Sequence, residues 1–587
     1  MAQARFEIPD CDARDVAHLS ERLGVSAVLA QVLVRRGLAD PERARAFLAA
    51  DQTHDLDAFG GLQSAAQRIL EHSQSATRIT VHGDYDVDGV CSTAILVRAL
   101  RRIGASVDWH LPDRTSDGYG LSLPTVQRLA EHGTGLLITV DCGITAVEEV
   151  AAARALGMDV IVSDHHAPRP DGKLPDAPTV HPVIGGYPCR ELCAAAVAYK
   201  LVQGIWRAAG RDPRELDDDL DLVALATIAD VVVLQGENRA LARRGLRALA
   251  GTAKPGLRAL MAVARIDPSR VNERAVGFAL GPRINAAGRL RRADGALELL
   301  LTEDTARAAQ IARELDRANS ERRHTEQTIR FQAEAQLGAL ADPAPRSAYV
   351  LAGEQWHPGV IGIVASRLAE RHRRPVVLIA LDGERGRGSG RSIEGFDLLA
   401  GLTACSEHLL RYGGHSAAAG LEVESSRVQA LADALDAHAS RVLSPDDLIE
   451  VERVDAIVTA REIGMELAEE LSTLAPFGRG NPVVSLMVRD AVFADVRPMG
   501  EGRHARFTVR SQDVHARAVA FGSGIALGVW EGEPAVATFT LEVNEWNGIS
   551  EPRLVLRHAQ PAPVEEATID PCLTAARVPS TPLPLPT

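Results

Sequence analysis

The feature that most constrains the fold is a strand–helix pattern in which residue types that bind metals follow apolar stretches. Residues 81–89 read VHGDYDVDG and place one histidine and three aspartates directly after such a stretch. A second group, Asp164, His165 and His166, follows another apolar stretch. In open α/β sheets, ligands bind just past the carboxyl ends of the strands. The sequence therefore predicts one polar site at that edge of a parallel sheet.

The pattern from residue 76 onwards is typical of βαβ units, because short apolar strands alternate with helices. We predict strands over 78–82, 105–111, 136–140 and 159–163, with helices over 89–103 and 145–156. A longer helical region covers about 190–340, and its last part, 305–340, is polar and nearly free of Gly and Pro. That part is predicted to be a long exposed helix connecting two domains.

A second α/β block is predicted from about residue 346 to 445. Its predicted strands are 348–351 and 375–381, and its predicted helices are 360–371 and 397–411. From about 446 to 560 the pattern changes to short strands, which favours a small β-barrel.

The predicted domain organisation follows from these changes of pattern. The segments are an N-terminal helical segment (1–75), a first α/β domain (76–300), a connector helix (301–345), a second α/β domain (346–445), a barrel (446–560) and a disordered Pro-rich tail (561–587).

Composition excludes several classes of protein. The 46% apolar content supports packed cores. Seven cysteines without a Cys-x-x-Cys pair predict reduced thiols and argue against a zinc or iron–sulfur site. There is neither a signal-peptide pattern nor an apolar run approaching the ~20 residues of a membrane span. A cytoplasmic protein is therefore expected. The net charge of −14 does not exclude nucleic acid, because arginines cluster locally.

Side chains from several strand ends can converge on a pair of divalent ions. His82, Asp86 and Asp88 lie on one loop, and Asp141 ends a second strand and can bridge two ions. His165 with His166, and Asp230 after an apolar helical stretch, complete the set. Oxygen ligands mixed with imidazole suit Mn²⁺ or Mg²⁺, and two such ions cleave phosphate esters. Each residue alone is more often a helix cap or polar surface, but their joint occurrence favours the metal site.

The second α/β block carries two further candidates. Residues 413–420 read GGHSAAAG, where small side chains let a phosphate or sugar approach the backbone and His415 offers a donor. The alternative is that these small residues serve tight strand–helix packing. Upstream, Arg391 lies beside Ser389 and glycine, and a guanidinium beside a hydroxyl suits a phosphate.

These motifs resemble those of the DHH phosphoesterase superfamily, which hydrolyses phosphoesters with two Mn²⁺ or Mg²⁺ ions. The resemblance implies a parallel-sheet DHH domain and a smaller α/β DHH-associated domain joined by a long helix. It implies as metal ligands His82, Asp86, Asp88, Asp141, His165 and Asp230. Asp141 would bridge the ions, His166 would contact the scissile phosphate or protonate the leaving group, and Asp84 would orient a ligand.

Further segments resemble the single-strand-specific 5′→3′ exonucleases of that superfamily. They are LPDR with GYG within 111–120, GPRINAAGR (281–289), WHPGVIG (356–362) and PFGRGNP (476–482). This resemblance implies a C-terminal OB-fold, which binds single strands through basic grooves and stacking. It also implies that Arg114, Ser389 and Arg391 hold the 5′ end, that Arg283 and Asn285 contact the strand, that His415 binds substrate, and that Tyr119, Trp356 and Phe477 are candidates for base stacking.

By this resemblance the chain is expected to be an exonuclease that degrades single-stranded DNA 5′→3′ to 5′-mononucleotides in recombination and repair. A monomer is expected, with a single-strand-binding protein and a helicase as partners by resemblance. One alternative is an oligonucleotide or cyclic-dinucleotide phosphodiesterase, or a polyphosphatase, but the barrel and arginine clusters argue against a small substrate. A non-catalytic nucleic-acid scaffold is the other alternative, and it conflicts with the complete ligand set.

Overall fold

The computed structural model describes residues 4–114, 116–340, 346–546 and 548–562. The chain forms two compact units. The larger unit comprises Gln52–Asp447 with Gly478–Asn481, and the smaller unit comprises the rest of the described chain. The predicted disordered tail lies outside the described residues, apart from residues 561 and 562.

The larger unit begins with a five-stranded parallel sheet, as the strand–helix alternation predicts. Its spatial order is Val107–His110, Ile79–His82, Leu136–Val140, Asp159–Ser163 and Thr179–Val180. Leu136–Val140 is buried at all five positions, because helices cover both faces of a parallel sheet. The carboxyl ends of the strands therefore meet at one edge.

Helices surround this sheet and extend from it. Their bounds are Leu62–Gln74, Val87–Arg102, Leu123–Glu131, Val147–Ala155, Ala194–Ala208, Leu220–Ala229, Gly236–Ala250, Pro255–Val263, Glu273–Ala275, Gly281–Leu290 and Asp294–Leu301. A π-helical turn, Val276–Leu280, precedes Gly281–Leu290. Asp86 caps the helix Val87–Arg102 by accepting hydrogen bonds from the Asp88 and Gly89 amides. The first acidic motif is therefore held at a helix N-terminus.

The connector helix spans Thr305–Leu340, with the bounds that the sequence predicts. It is not simply an exposed spacer, which corrects part of that prediction. Its first half packs Ile311 and Leu315 into the core around the parallel sheet, and Ile329 and Leu337 pack into the core of the second α/β domain. At 1.5 Å per residue the helix is about 54 Å long, which is enough to join two cores while presenting a charged face.

The second α/β domain contains a mixed five-stranded sheet that the sequence predicted only in part. Its order is Arg411–Gly414, Ala418–Glu424, Arg385–Arg391, Val376–Asp382 and Tyr349–Glu354. Its helices are Pro358–His372, Leu398–Ala404 and Val428–Val442. The predicted helix 397–411 is wrong beyond Ala404. The strand Arg385–Arg391 reads RGRGSGR and escaped prediction because it has no apolar alternation.

The smaller unit contains the predicted barrel. The strands Leu486–Met499, His504–Ser511, Val514–Ala520, Pro534–Trp546 and Ile549–Pro561 form it, and pairing of the first with the fourth closes it. Short strands Arg5–Glu7, Val451–Arg453 and Ala456–Ile457 and the helix Met465–Ser472 accompany it. Helices Ala13–Leu23, Ala27–Arg35 and Pro41–Ala49 share the barrel core, which contains Leu19, Leu29 and Phe539.

No helix among the described residues is both long and apolar enough to cross a bilayer. Six cysteines fall within the described residues and all are free thiols, as predicted.

Candidate active site

The carboxyl edge of the parallel sheet gathers most of the predicted metal ligands. Their ligand atoms form three overlapping groups, each within 4.8 Å. The groups are Asp84 with Asp86 and Asp141, Asp88 with His165 and Asp230, and Asp141 with His165 and His166. Residues from widely separated parts of the chain therefore face one small volume.

Asp141 lies at the centre of this cluster. It is buried, it belongs to two of the three groups, and it adopts a left-handed backbone with φ 62°. Asp tolerates that conformation better than most residues, and strained backbone often marks a functional site. Burial, followed by the charges of Asp88 and Asp86, raises the pKa of its carboxyl well above the ordinary value.

The aspartate loop is shaped by close backbone approach. A Cβ on Gly89 would lie 2.6 Å from backbone atoms of Asp84, so only glycine lets the helix start pass beneath the loop. Asp88 points back to accept from the Ala194 and Ala195 amides, both at 2.7 Å. These bonds hold the carboxylate at the N-terminus of a second helix, where the helix dipole stabilises negative charge.

The two histidines have different environments. His165 Nδ1 lies 3.1 Å from the Leu192 carbonyl oxygen, so Nδ1–H donates to that oxygen. The lone pair of Nε2 is then free to bind a metal. That Nε2 lies 3.2 Å from Asp141 Oδ1. His166 Nδ1 lies 2.9 Å from Asp164 Oδ1. Burial opposes a charge on His166, but the hydrogen bond to Asp164 and its charge outweigh burial and raise the pKa to about 9.

His82 ends its strand beneath the cluster but belongs to none of the three groups, whereas Asp84 belongs to one. Burial, then His110, lowers the pKa of His82 to about 3, so the imidazole is neutral. Its Nδ1 lies 3.1 Å from His110 Nδ1, and its buried Nε2 has no hydrogen-bond partner among the described residues.

The cluster has the electrostatic character of a divalent-cation site. The pKa of Asp84 is raised to about 8 by desolvation and then by the charge of Asp86. The pKa of Asp230 is also raised to about 8, by desolvation and then by the charges of Asp88 and Asp86. Within the described chain, buried Asp84 Oδ1, Asp141 Oδ1 and His82 Nε2 accept no hydrogen bond. Crowded carboxylates of which some oxygens lack a donor are expensive to ionise together, and hard cations such as Mn²⁺ or Mg²⁺ reduce that cost. The residues therefore fit the metals that the sequence predicts.

An arginine cluster lies next to the acidic one. Arg114 stacks on the Tyr85 ring at 4.3 Å, and Arg391 Nη1 donates to Ser389 Oγ at 3.1 Å. Burial, then Arg114, lowers the pKa of Arg391. A Cβ on Gly362 would lie 2.8 Å from Ser389 Oγ, so this glycine lets the helix Pro358–His372 approach the pair. Positive charge of this kind beside a metal site suits a phosphate.

The remaining predicted substrate residues are placed as follows. Tyr119 is half exposed, and its hydroxyl donates to the Asp141 carbonyl and lies 3.0 Å from His166 Nδ1. Asn285 Oδ1 accepts from the Val87 amide, next to Asp86. Arg283 pairs with Asp316 at 2.9 Å.

The structure does not bring His415 to the cluster. It is exposed on the turn between strands Arg411–Gly414 and Ala418–Glu424, and its side chain makes no hydrogen bond with another described residue. Trp356 and Phe477 are poor stacking platforms. Trp356 is buried and donates to Gln332, and Phe477 packs against the barrel core.

Two residues of the site were missed by the sequence reasoning. Asp164 accepts from the Ile144, His165 and His166 amides and so fixes the histidine pair. Arg289 is half-buried and donates to the Gly359 carbonyl, and desolvation, then Arg114 and Arg322, lowers its pKa to about 10. Asp164 was visible as the residue before the two histidines, and Arg289 was visible as the last residue of the segment GPRINAAGR (281–289), but neither was given a role.

This site geometry, followed by a second α/β domain, defines a protein of the DHH class. The model of the DHH family N-terminal domain matches residues 78–227, and that of the DHHA1 domain matches 346–441. The RecJ OB domain model matches 454–558. With these matches and relatives more than 30% identical over most of its length, the chain belongs to the RecJ family.

Similar proteins support that membership. The single-stranded-DNA-specific exonuclease RecJ of Bacillus subtilis (strain 168) is 38% identical over 95% of this chain and 71% of its own length. The crystal structure of Thermus thermophilus RecJ in complex with Mn²⁺ has a TM-score of 0.83 at 32% identity, over 97% of this chain and 81% of that one. The corresponding Mg²⁺ complex has a TM-score of 0.78 at 30% identity, over 97% and 80%. The resemblance inferred from the motifs is confirmed.

Proposed function

We propose that this protein is a metal-dependent exonuclease that degrades single-stranded DNA from the 5′ end to 5′-mononucleotides. One observation carries the proposal: a crowded carboxylate–histidine cluster adjoins half-buried arginines within a single unit. The cluster supplies sites for Mn²⁺ or Mg²⁺, and the arginines supply a site for phosphate. Single-stranded-DNA-specific exonucleases are also the relatives that this chain resembles over most of its length.

Two ions would be held by the side chains of the cluster. Asp141, which belongs to two of the ligand groups, would be shared, Asp86 with Asp84 or His82 would hold one ion, and Asp88, His165 and Asp230 would hold the other. When bound, such ions would supply the Lewis-acid chemistry that two-metal hydrolysis of phosphate esters requires.

His166, which the family resemblance does not make a metal ligand, is suited to handling a proton. Asp164 fixes His166 through Nδ1, which leaves Nε2 to face the substrate. The hydrogen bond to Asp164 and its charge raise the pKa of His166 and favour the protonated imidazole, which would donate from Nε2 to the scissile phosphate or to the leaving oxygen. Tyr119 and Asp164 limit its rotation.

The arginine cluster explains an attack from the 5′ end. Arg114, Arg391 and the Ser389 hydroxyl together offer donors for a terminal 5′-phosphate, which carries more charge than an internal phosphodiester. A 5′-phosphate anchored there would hold the first phosphodiester at the neighbouring metal cluster. Asn285 keeps the helix Gly281–Leu290 against the aspartate loop.

The barrel offers a groove for the strand. Its lining includes four arginines, Arg497, Arg506, Arg517 and Arg553, and two carboxylates, Asp495 and Glu551, around a cavity of about 600 Å³, and Arg517 pairs with Glu551. Arg497 and Arg506 are direct cross-strand partners and both are exposed, with no carboxylate partner among the described residues. Like charges placed opposite each other destabilise a sheet, so their presence favours a bound polyanion. This groove argues for a polynucleotide and against a dinucleotide or polyphosphate substrate.

We expect Arg506→Gln to weaken single-strand binding about 3- to 10-fold. The slope of log binding constant against log salt concentration should become less negative by about 0.7, which is the value for one lost phosphate contact. Fluorescence anisotropy of a labelled strand in EDTA, which prevents cleavage, measures both. Arg503→Gln is the matched control, because Arg503 is exposed, pairs with Glu501 and lies outside the groove. Equal effects of the two substitutions would contradict the groove assignment.

The direct test of function follows strands labelled at either end. With Mn²⁺, a 5′-phosphorylated single strand should release labelled mononucleotide at once from a 5′ label and only late from a 3′ label. Duplex DNA of the same sequence should resist digestion. Preference for dinucleotides over long strands would instead identify an oligonucleotide phosphodiesterase. Partnership with a single-strand-binding protein or a helicase, the monomeric state and a cytoplasmic location stay predictions.

A further inference from the structure

A buried histidine that is not one of the predicted metal ligands lies next to His166. His181 is 1% exposed and directly follows the strand Thr179–Val180 at the carboxyl edge of the parallel sheet. Among the described residues, it belongs to none of the three groups of possible metal ligands. Its Nε2 lies 2.8 Å from the main-chain carbonyl oxygen of His166. The ring of His181 is therefore placed to act on His166.

The surrounding main chain fixes which nitrogen of the His181 ring carries the proton. The amides of Val183 and Ile184 lie 3.2 Å and 3.3 Å from Nδ1. Both amides are donors, so Nδ1 accepts and carries no proton. The proton of the neutral ring then lies on Nε2, which donates it to the His166 carbonyl oxygen. One imidazole therefore joins the turn after its own strand to the main chain of His166.

The turn that carries His181 is anchored in the core. The Gly185 amide donates to the His181 carbonyl oxygen at 2.7 Å, and the Tyr187 amide donates to the Pro182 carbonyl oxygen at 2.9 Å. A Cβ on Gly185 would lie 2.9 Å from the His181 carbonyl oxygen, so glycine permits this close approach. Tyr187 is fully buried in the core around the parallel sheet. The His181 ring is therefore held by main chain that is itself packed in place.

The position of His166 depends on its main chain as well as on its ring contacts. Its side chain is 40% exposed, so packing alone does not fix it. Asp164 and Tyr119 contact its Nδ1, and Asp164 also accepts from its amide at 3.1 Å. His181 holds the carbonyl of the same residue. Accurate placement matters, because a displacement of about 1 Å at a reacting group can reduce the rate about 10²-fold.

We propose that His181 is a positioning residue for the proposed exonuclease reaction: its Nε2 hydrogen bond holds the main chain of His166 so that His166 Nε2 faces the scissile phosphodiester. This deepens the proposed function and rests on it. In this role His181 touches neither an ion nor the substrate. It should therefore affect the rate of the chemical step and leave strand binding unchanged.

The test measures the kinetics of His181→Leu on a 5′-phosphorylated single strand in Mn²⁺. Leucine fills the space but offers no donor, so kcat should fall about 10- to 100-fold while KM stays within about twofold of the native value. His181→Gln should recover most of the loss, because the side-chain amide nitrogen of glutamine reaches the position of the imidazole Nε2 and donates. His72→Leu is the matched control and should keep native kinetics, since His72 contacts Asp159 at the amino end of a strand in the same sheet.

A double-mutant cycle tests whether His181 acts through His166. In a protein that already carries His166→Ala, adding His181→Leu should change kcat by less than about twofold, because the positioned group is gone. Independent losses that multiply would mean that His181 supports another part of the cluster, and would overturn the proposal. Native kcat in His181→Leu, a loss confined to KM, or no recovery in a folded His181→Gln would also overturn it. Circular dichroism and thermal melting establish that each variant is folded.

A second measurement does not depend on activity. Nitrogen-15 NMR of the native protein in Mg²⁺, which is diamagnetic, reports the tautomer of His181. We expect a proton on Nε2 and none on Nδ1, and the opposite tautomer would overturn the proposal even if His181→Leu failed to fold. Failure of the proposed function is distinguished by the native protein, which would then leave the strand uncut.

Discussion

Asp141→Asn should reduce cleavage of single-stranded DNA by at least about 10³-fold, which corresponds to about 4 kcal/mol of transition-state stabilisation. Asp141 belongs to two of the three ligand groups, so the change weakens both proposed ion sites at once. The amide keeps the shape of the side chain but removes the negative charge that a bridge between two cations requires. Initial rates with a 5′-labelled strand at saturating Mn²⁺ measure the loss.

Strand binding is expected to survive this substitution, because the arginines of the site and the barrel groove are unchanged. Anisotropy should therefore give an affinity within about threefold of the native value in EDTA, where metals do not contribute. Asp159→Asn is a suitable control, since Asp159 lies at the amino end of a neighbouring strand and pairs with Arg68 and His72. If Asp141→Asn cleaved the strand at the native rate, Asp141 could not be the residue shared by the two ions.

Without metal, the free energy of unfolding of the larger unit should fall as pH rises from about 4 to about 8. Desolvation and neighbouring carboxylates raise the folded-state pKa of Asp84 and Asp230 to about 8, against about 3.9 for unfolded Asp. Between those values the folded state binds more protons than the unfolded state, so stability decreases with pH. Below pH 4 both states are protonated and the contribution is fully present.

Mn²⁺ should reverse this trend, because cations bind the ionised cluster and bind it better as pH rises. At a concentration 100 times Kd, each bound ion adds about 2.7 kcal/mol. Thermal melts from pH 5 to 8, in EDTA and in Mn²⁺, test both statements. Asp84→Asn should flatten the EDTA curve, whereas Asp159→Asn should not. A metal-free protein whose Tm is constant over this range would show that the cluster is not electrostatically crowded.

The fold was largely predictable where local patterns carry the information. The strand Asp159–Ser163 and the connector helix Thr305–Leu340 have the predicted bounds, because apolar runs and Gly- and Pro-poor polar stretches encode them locally. The strand Arg385–Arg391 was not predictable, because glycines replace the apolar residues that normally mark a strand. Its glycines fit against Ile379, Leu398 and Leu421, a requirement that appears only after packing.

The candidate site divides in the same way. The sequence by itself determined which chemistry is present: aspartates and histidines after strands, an arginine beside a serine, and the motifs of the RecJ family. Only the tertiary structure decided which of them meet. It groups Asp84 with Asp86 and Asp141, leaves His415 exposed on a hairpin, and brings half-buried Arg289 to the Gly359 carbonyl. The physical reason is that residue types and short-range order are local properties, whereas distance, burial and electrostatic coupling depend on contacts between segments that are far apart in the chain.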